Sequence, residues 1–274
     1  MSCRLTPVIL FVLLACLAQA GEVEYKTITR ATPRPLSIHV VRIDLADPDR
    51  ELAVAVGPDP DSDGPAESQL VDPRKLAASA HLFIAVNANP WNNLAPKPGD
   101  PVPEAYMAGT ACDIAGWALA EGKQKSAPQQ SYGSFWLDPE GRGHIGDLGS
   151  TVPARLAIAG FSPILREGNV LPGEGGDLHP RTALGLDKEG RILTLVTVDG
   201  RQKGFSEGMS EAELGGLMKE LGCTDALNLD GGGSTVLLRW GQILNSPSQG
   251  PKSAGQAAQP RPVPVMIGLR NRGS

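Results

Sequence analysis

Apolar residues recur along the chain mostly with a period of two, in short runs broken by glycine, proline and aspartate. This is the pattern of β-strands joined by tight turns. Alternation predicts a strand over 36–43 and a neighbouring strand over 51–56, followed by a loop rich in Pro, Asp and Gly at 57–65. A buried strand over 82–86 delivers the polar run Asn87-Ala88-Asn89-Pro90-Trp91 at its end. Further strands are predicted over 111–119, 134–137, 156–160, 226–229 and 263–269, and hairpins over 164–170, 183–198 and 236–244. Two helices interrupt the alternation. Asp72 caps one and Pro73 opens it. The other runs over 210–221, where Ser210 and Glu213 form a capping box, Leu214, Leu217, Met218 and Leu221 share a face, and Gly222 stops it. The proline-rich 92–104 segment reads as a loop and the low-complexity 246–259 segment as mobile. Hairpins mixed with helices predict an α+β fold: a single domain over 36–274 around a largely antiparallel or mixed sheet, with 21–35 as a polar entry arm.

Composition agrees with many turns. Gly numbers 33 and Pro 24, and aromatics are only 4%, which disfavours a helical bundle. Lys+Arg total 25 against 30 Asp+Glu, and a net charge of -5 lacks the footprint of nucleic-acid binding. At the N-terminus, Arg4, the apolar run 8–17 and Ala18-Gln19-Ala20 read as a secretory signal cleaved after Ala20, too short to span a bilayer comfortably. The mature protein is therefore expected to be secreted or periplasmic, without a membrane span. Leu13-Leu14-Ala15-Cys16 loosely resembles a lipobox, but Leu14 fits it poorly. Cleavage removes Cys3 and Cys16 and leaves Cys112 and Cys223, either a disulfide or two buried thiols.

The segment richest in chemistry is Asn228-Leu229-Asp230-Gly231-Gly232-Gly233-Ser234-Thr235. Glycines let backbone approach a ligand and turn N–H groups inward as an anion nest, and Ser234 and Thr235 add donors. Asp230 does not favour a phosphate, so its role is proton transfer, a sugar hydroxyl or a metal. A Walker loop is excluded, because no Lys follows the glycines. Arg181, in His179-Pro180-Arg181-Thr182, offers a planar fork for phosphate or carboxylate. Asp199 ends another apolar strand, in Val198-Asp199-Gly200-Arg201-Gln202. Two carboxylates at strand ends can divide acid, base or nucleophile roles in glycoside cleavage. Asn87 and Asn89 carry amides suited to sugar hydroxyls or an anion. His179 reads as a loop residue, and His39, His81 and His144 as structural. Asp199, Asp230 and the asparagines are also hard oxygen donors for calcium or magnesium, though no spacing demands a metal.

In this order these segments resemble the phosphodiester glycosidase family. The resemblance starts at the Asn87 strand end and runs through Ala159-Gly160-Phe161-Ser162-Pro163-Ile164-Leu165 and His179-Pro180-Arg181-Thr182-Ala183-Leu184-Gly185-Leu186. It is closest from Thr197 to Gln202 and from Leu227 to Thr235, and it ends at Asn245-Ser246-Pro247-Ser248 and Arg261-Pro262-Val263. The resemblance implies hydrolysis of a sugar 1-phosphodiester at the anomeric carbon, with no required cofactor and a phosphoglycan or sugar phosphodiester as partner. Arg181, Thr182, Arg201, Gly231, Gly232, Gly233, Ser234 and Thr235 would then hold the phosphodiester. Asp199 and Asp230 would flank the anomeric centre, and Asn87, Asn89 and Asn228 would orient the sugar or the carboxylates. Asn89-Pro90-Trp91 departs from the family's glycine–aromatic pattern, which implies a reshaped pocket. Two alternatives stay open here: a phosphodiesterase breaking the P–O bond, and a non-catalytic carbohydrate-binding protein.

Overall fold

Alternation along the central strands sorts side chains onto two faces of one sheet. In Ile192–Val198, Leu193 and Leu195 enter one core cluster while Val196 and Val198 enter another. Leu184 and Ala183, and Leu227 and Ala226, divide the same way, as a period of two requires. The computed structural model describes residues 23–62, 64–94, 106–249 and 259–273. The signal sequence with Cys16, most of the predicted 92–104 loop and most of the 246–259 segment lie outside the described residues.

Seven strands form the main sheet, in the order Glu24–Arg30, Leu36–Asp44, Ile192–Val198, Arg181–Leu186, Asp225–Asn228, Ser162–Arg166, Asn169–Val170. A five-stranded sheet runs Gln242–Ile243, Leu237–Arg239, Ile84–Asn87, Val265–Asn271, Arg50–Val56. A second five-stranded sheet, built around Gly133–Leu137 and Leu156–Ala159, closes the same core with Phe135, Leu137 and Ile158. A three-stranded sheet contains Ala111–Ile114. The interior shared by the three larger sheets holds Leu184, Leu195, Leu227, Val54, Val86 and Ile267.

Helices cover the outer faces. Glu211–Glu220 packs Leu214, Leu217 and Met218 against Ile38, Val40, Val196 and Val198. Its capping box is formed: Ser210 Oγ accepts from the Glu213 N–H at 3.2 Å, and Glu213 Oε2 accepts from the Ser210 N–H at 2.9 Å. Pro73–Ser79, capped by Asp72, packs Leu76 and Ala77 against Ala53, Ala85 and Met266. Sheets covered on both faces explain why the central strands read as nearly continuous apolar runs.

The fold is mainly antiparallel β, with two α-helices among the described residues, so helix contributes less than the expected α+β class suggests. The predicted 36–43 and 51–56 strands are not neighbours: Leu36–Asp44 belongs to the main sheet and Arg50–Val56 pairs with Val265–Asn271 in the facing one. The polar stretch read as an entry arm contains a strand, Glu24–Arg30, that pairs with Leu36–Asp44 at the sheet edge. The predicted 111–119 strand is two strands, Ala111–Ile114 and Ala118–Ala120, separated at Gly116, where φ is +73°. Cys112 and Cys223 are both free and buried, so the two thiols stay separate.

Candidate functional site

Three adjacent strands bring Arg181, Asp199 and Asn228 to one edge of the main sheet. Arg181 pairs with Val198, and Ala183 pairs with Asn228. Beyond Asn228 the Leu229 N–H still donates to the Thr182 carbonyl at 2.9 Å, but the Asp230 N–H turns to the Ala88 carbonyl at 3.0 Å. The chain therefore crosses from one sheet to the other at Asp230. Asn87, at the end of Ile84–Asn87, fixes the crossing. Its Nδ2 donates to the Asp230 carbonyl at 2.6 Å, and its Oδ1 accepts from Thr182 Oγ1 at 2.8 Å and the Val236 N–H at 3.2 Å.

Glycine is needed in the bend that follows. A Cβ on Gly231 would stand 2.7 Å from the Pro180 carbonyl oxygen, and Gly232 has a φ of +61°. The bend's amides are largely spent inside the protein. Gly232 donates to Pro180 O at 2.8 Å, Ser234 to Gly231 O at 3.1 Å and Thr235 to Gly232 O at 3.3 Å. Guanidinium groups stand over the same bend. A Cβ on Gly232 would stand 3.3 Å from the Nη atoms of Arg201, and one on Gly233 2.7 Å from Arg261 Nη2. Arg201 adopts a φ of +59°, a conformation that costs a non-glycine residue about 1 kcal/mol or more and is typical of functional sites. Its Nη2 donates to His179 Nδ1 at 3.3 Å. Arg261 donates from Nε to Gln249 Oε1 at 2.7 Å and lies 3.8 Å over the Tyr106 ring.

Asp230 is the carboxyl beside this arginine pair. Burial pushes its pKa up to about 6, while the neighbouring Ser234 hydroxyl, the Arg261 guanidinium and the Gly231 N–H pull it down. Asp230 Oδ2, Ser234 Oγ and Thr235 Oγ1 are buried without a hydrogen-bond partner. Most buried polar atoms are paired; on this bend Ser234 Oγ stands close enough to Asp230 to lower its pKa, and the remaining capacity of these three atoms is open to water or a polar ligand.

The other predicted site residues divide differently. Asp199 is 1% exposed and its carboxylate is engaged by protein. Oδ1 accepts from the Ser246 N–H at 2.8 Å and Asn245 Nδ2 at 3.2 Å, and Oδ2 lies 3.4 Å from His39 Nε2. Asp199 therefore anchors the 245–246 segment. Arg181 Cα lies against the glycine bend, 3.7 Å from a Cβ placed on Gly231. Its guanidinium, however, is directed to Met209 O at 2.9 Å, Glu211 Oε1 at 3.3 Å and Asp177 O at 3.1 Å. Thr182 spends its hydroxyl on Asn87. Asn89 Nδ2 donates to the carbonyls of Ala115 and Trp117 at 3.0 and 3.1 Å, which holds that loop, while its buried Oδ1 has no partner. Asn228 Nδ2 donates to Glu211 Oε1 at 3.1 Å. Trp91 packs on the core cluster under the Pro73–Ser79 helix.

The 246–259 stretch is not loose where it is described. Ser246 exchanges hydrogen bonds with Gln202 at 2.9 Å, and Ser248 Oγ donates to Gly232 O at 3.4 Å. Among the described residues no three His, Cys, Asp or Glu side chains gather as a metal would need. Asp230, with two arginines beside it, is a poor donor set for a divalent cation. Sequence reasoning missed Arg261, Tyr106 and Gln249 and left His179 as a loop residue. The only signal for Arg261 was its place in the Arg261-Pro262-Val263 motif.

The family model for phosphodiester glycosidases matches residues 114–270. The chain belongs to the phosphodiester glycosidase family. The matched region contains Arg181, Arg201, Asp230 and Arg261. Among solved structures, the catalytic domain of zebrafish N-acetylglucosamine-1-phosphodiester alpha-N-acetylglucosaminidase, auto-inhibited by its pro-peptide, is similar with a TM-score of 0.65 at 20% identity. That likeness covers 92% of this chain and 83% of the zebrafish one. A hypothetical protein from Synechocystis is similar with a TM-score of 0.63 at 14% identity, over 92% of this chain and 64% of that one. At these identities the likeness shows a shared fold. The SPbeta prophage-derived uncharacterized protein YomE of Bacillus subtilis (strain 168) is 39% identical over 72 residues, which is 26% of this chain and 11% of YomE. The chain thus matches about a tenth of that curated relative's length.

Proposed function

We propose that the chain hydrolyses a sugar 1-phosphodiester at the anomeric C–O bond, releasing free sugar and a phosphomonoester outside the cytoplasm. The observation that carries this reading is Asp230 set beside Arg261, with Arg201 against Gly232 of the same glycine bend. The arginines form no ion pair among the described residues' salt bridges, and a phosphodiester anion satisfies both.

Water is the nucleophile. Its oxygen bonds to the anomeric carbon, its proton passes to the Asp230 carboxylate, and the C–O electron pair leaves with the phosphate. A carboxylate with a pKa of about 6 is a stronger base than an ordinary one yet is ionised at neutral pH. Arg201 and Arg261 receive the charge that collects on the departing phosphate, where positioned cations are worth most. A phosphate leaving group needs no proton to depart, so one carboxylate suffices and Asp199 is free to act as an anchor. The run from Arg4 to Ala20 supports export.

The test is product analysis with a hexose 1-(methyl phosphate). Reducing sugar and methyl phosphate should appear in equal amounts. Methanol and hexose 1-phosphate as products would overturn the reading.

A further inference from the structure

Two arginines near the glycine bend are held in opposite ways. Arg181 commits its N–H groups to Met209 O, Glu211 Oε1 and Asp177 O, and the Glu211 carboxylate compensates its charge. Arg261 gives its Nε–H to Gln249 Oε1 at 2.7 Å and is gripped by the face of its guanidinium, whose Cζ lies 3.8 Å over the centre of the Tyr106 ring. A cation on an aromatic face is attracted by the ring quadrupole and uses no N–H group in the contact. Its charge also stays uncompensated, whereas a carboxylate partner would neutralise it and occupy the same donors. Nη2 is left over the bend, 2.7 Å from a Cβ placed on Gly233. Asp230 is close by: burial lowers the pKa of Arg261, while Asp230 and Tyr106 raise it.

Tyr106 is itself held from behind. It adopts a φ of +70°, a left-handed conformation rare for a bulky residue. Its ring meets that of Trp91 edge to face, with centroids 6.5 Å apart and planes at 89°, an arrangement aromatic pairs favour. Trp91 in turn packs on the core cluster under the Pro73–Ser79 helix. A line of contacts thus runs from the core through Trp91 and Tyr106 to Arg261, although Tyr106 is 43% exposed.

We propose that Tyr106 is a positioning residue: its ring face fixes the Arg261 guanidinium over the glycine bend and leaves the Nη groups open to the phosphodiester. It acts through Arg261 and touches no reacting atom. The inference rests on the phosphodiester reading of the Asp230 site and adds how one of its two cations is held in place without being neutralised.

The test measures binding, by calorimetry in an Asp230→Asn background with hexose 1-(methyl phosphate) as the probe. Tyr106→Leu keeps an apolar side chain but removes the aromatic face, and should weaken binding about tenfold, the scale of a partly desolvated cation–π contact. Tyr106→Phe keeps the face and should bind within about twofold of the parent. Once Arg261→Ala is added, Tyr106→Leu should have no further effect, because the group it positions is gone. A Phe variant as weak as the Leu variant would assign the effect to the hydroxyl, and a tenfold loss that persists without Arg261 would mean that the ring acts on the substrate directly. Either result overturns the proposal. Unchanged binding in Tyr106→Leu overturns it as well, and a loss in Arg261→Ala alone would then leave the phosphodiester reading standing. If the parent does not bind the probe, the phosphodiester reading fails and the role of Tyr106 falls with it.

Discussion

Asn87 Nδ2 donates to the Asp230 carbonyl oxygen at 2.6 Å, tying together the tips of strands that belong to two different sheets. The same side chain accepts from Thr182 and from the Val236 N–H. Asn87→Ala removes all three bonds and leaves buried groups unpaired, at about 1–3 kcal/mol for each group stranded. Urea denaturation should therefore show a loss of several kcal/mol, and activity should fall even where the variant is folded. An unchanged midpoint would show that the crossing at Asp230 is held by something else.

Asp199 and Asp230 should separate cleanly by mutation. Asp230→Asn is expected to lower kcat by about a hundredfold or more with the fold intact, as loss of a general base does. Asp199→Asn disturbs bonds to Asn245, Ser246 and His39, so its main cost should be stability, about 1–3 kcal/mol. Thermal melts and steady-state kinetics on both variants check this. The reverse pattern would return Asp199 to the chemistry.

The raised pKa of Asp230 fixes the sign of two pH effects. As a base it works ionised, so kcat/KM should fall as pH drops through about 6. For stability, the native state holds this proton to a higher pH than the unfolded chain does, over the window from 3.8 to about 6. Stability therefore declines as pH rises through that window and stays lower above it. Asp230→Asn removes the buried charge and should stabilise the protein at pH 8 by up to about 3 kcal/mol, with no gain near pH 3. Melting temperatures of both proteins at the two pH values decide it.

Loss of Arg261 should weaken substrate binding and turnover together, because in the proposed reaction its guanidinium faces the phosphodiester from binding to release. Arg261→Ala is expected to reduce kcat/KM by about a hundredfold, the scale of one lost charge-stabilising donor. Gly233→Ala should act on the same point from the other side, since its Cβ would stand 2.4 Å from Gln249 Oε1 and 2.7 Å from Arg261 Nη2. Kinetics at saturating and limiting substrate report both effects.

Cys112 and Cys223 should resist thiol reagents until the protein unfolds. Burial pushes their pKa values up to about 12 and about 11, so little thiolate exists at neutral pH. With residues 1–20 left off, so that Cys3 and Cys16 are absent, a thiol titration in native buffer should find almost no reaction, and one in denaturant should find both. Rapid native labelling would contradict the burial.

Much of the fold was legible because local rules and tertiary packing agree. Ser210 and Glu213 announced the longer helix, Asp72-Pro73 the shorter one, and alternation through Leu193, Leu195, Val196 and Val198 the central strand. Glu24–Arg30 was hidden because an exposed edge strand carries little apolar signal, and only Tyr25 and Ile28 hint at it. Which strands become neighbours was also unreadable, since Leu36–Asp44 and Arg50–Val56 are separated by long-range pairing. At the site, strand-end residues were found because glycines and carboxylates there are costly without a purpose. Their side-chain directions were not, so Arg181 and Arg201 looked alike in sequence. One is absorbed by Met209, Asp177 and Glu211 and the other faces the glycine bend. Arg261 comes from the far end of the chain, and only folding sets it beside Asp230.

Which bond breaks beside Asp230 decides between a glycosidase and a phosphodiesterase. Hydrolysis of a sugar 1-phosphodiester in ¹⁸O-water, followed by mass spectrometry of both products, reads this directly. Attack at the anomeric carbon predicts the label in the released sugar and none in the phosphomonoester. Label in the phosphate would mean that water attacks phosphorus, and the role given to Asp230 and its two arginines would be wrong.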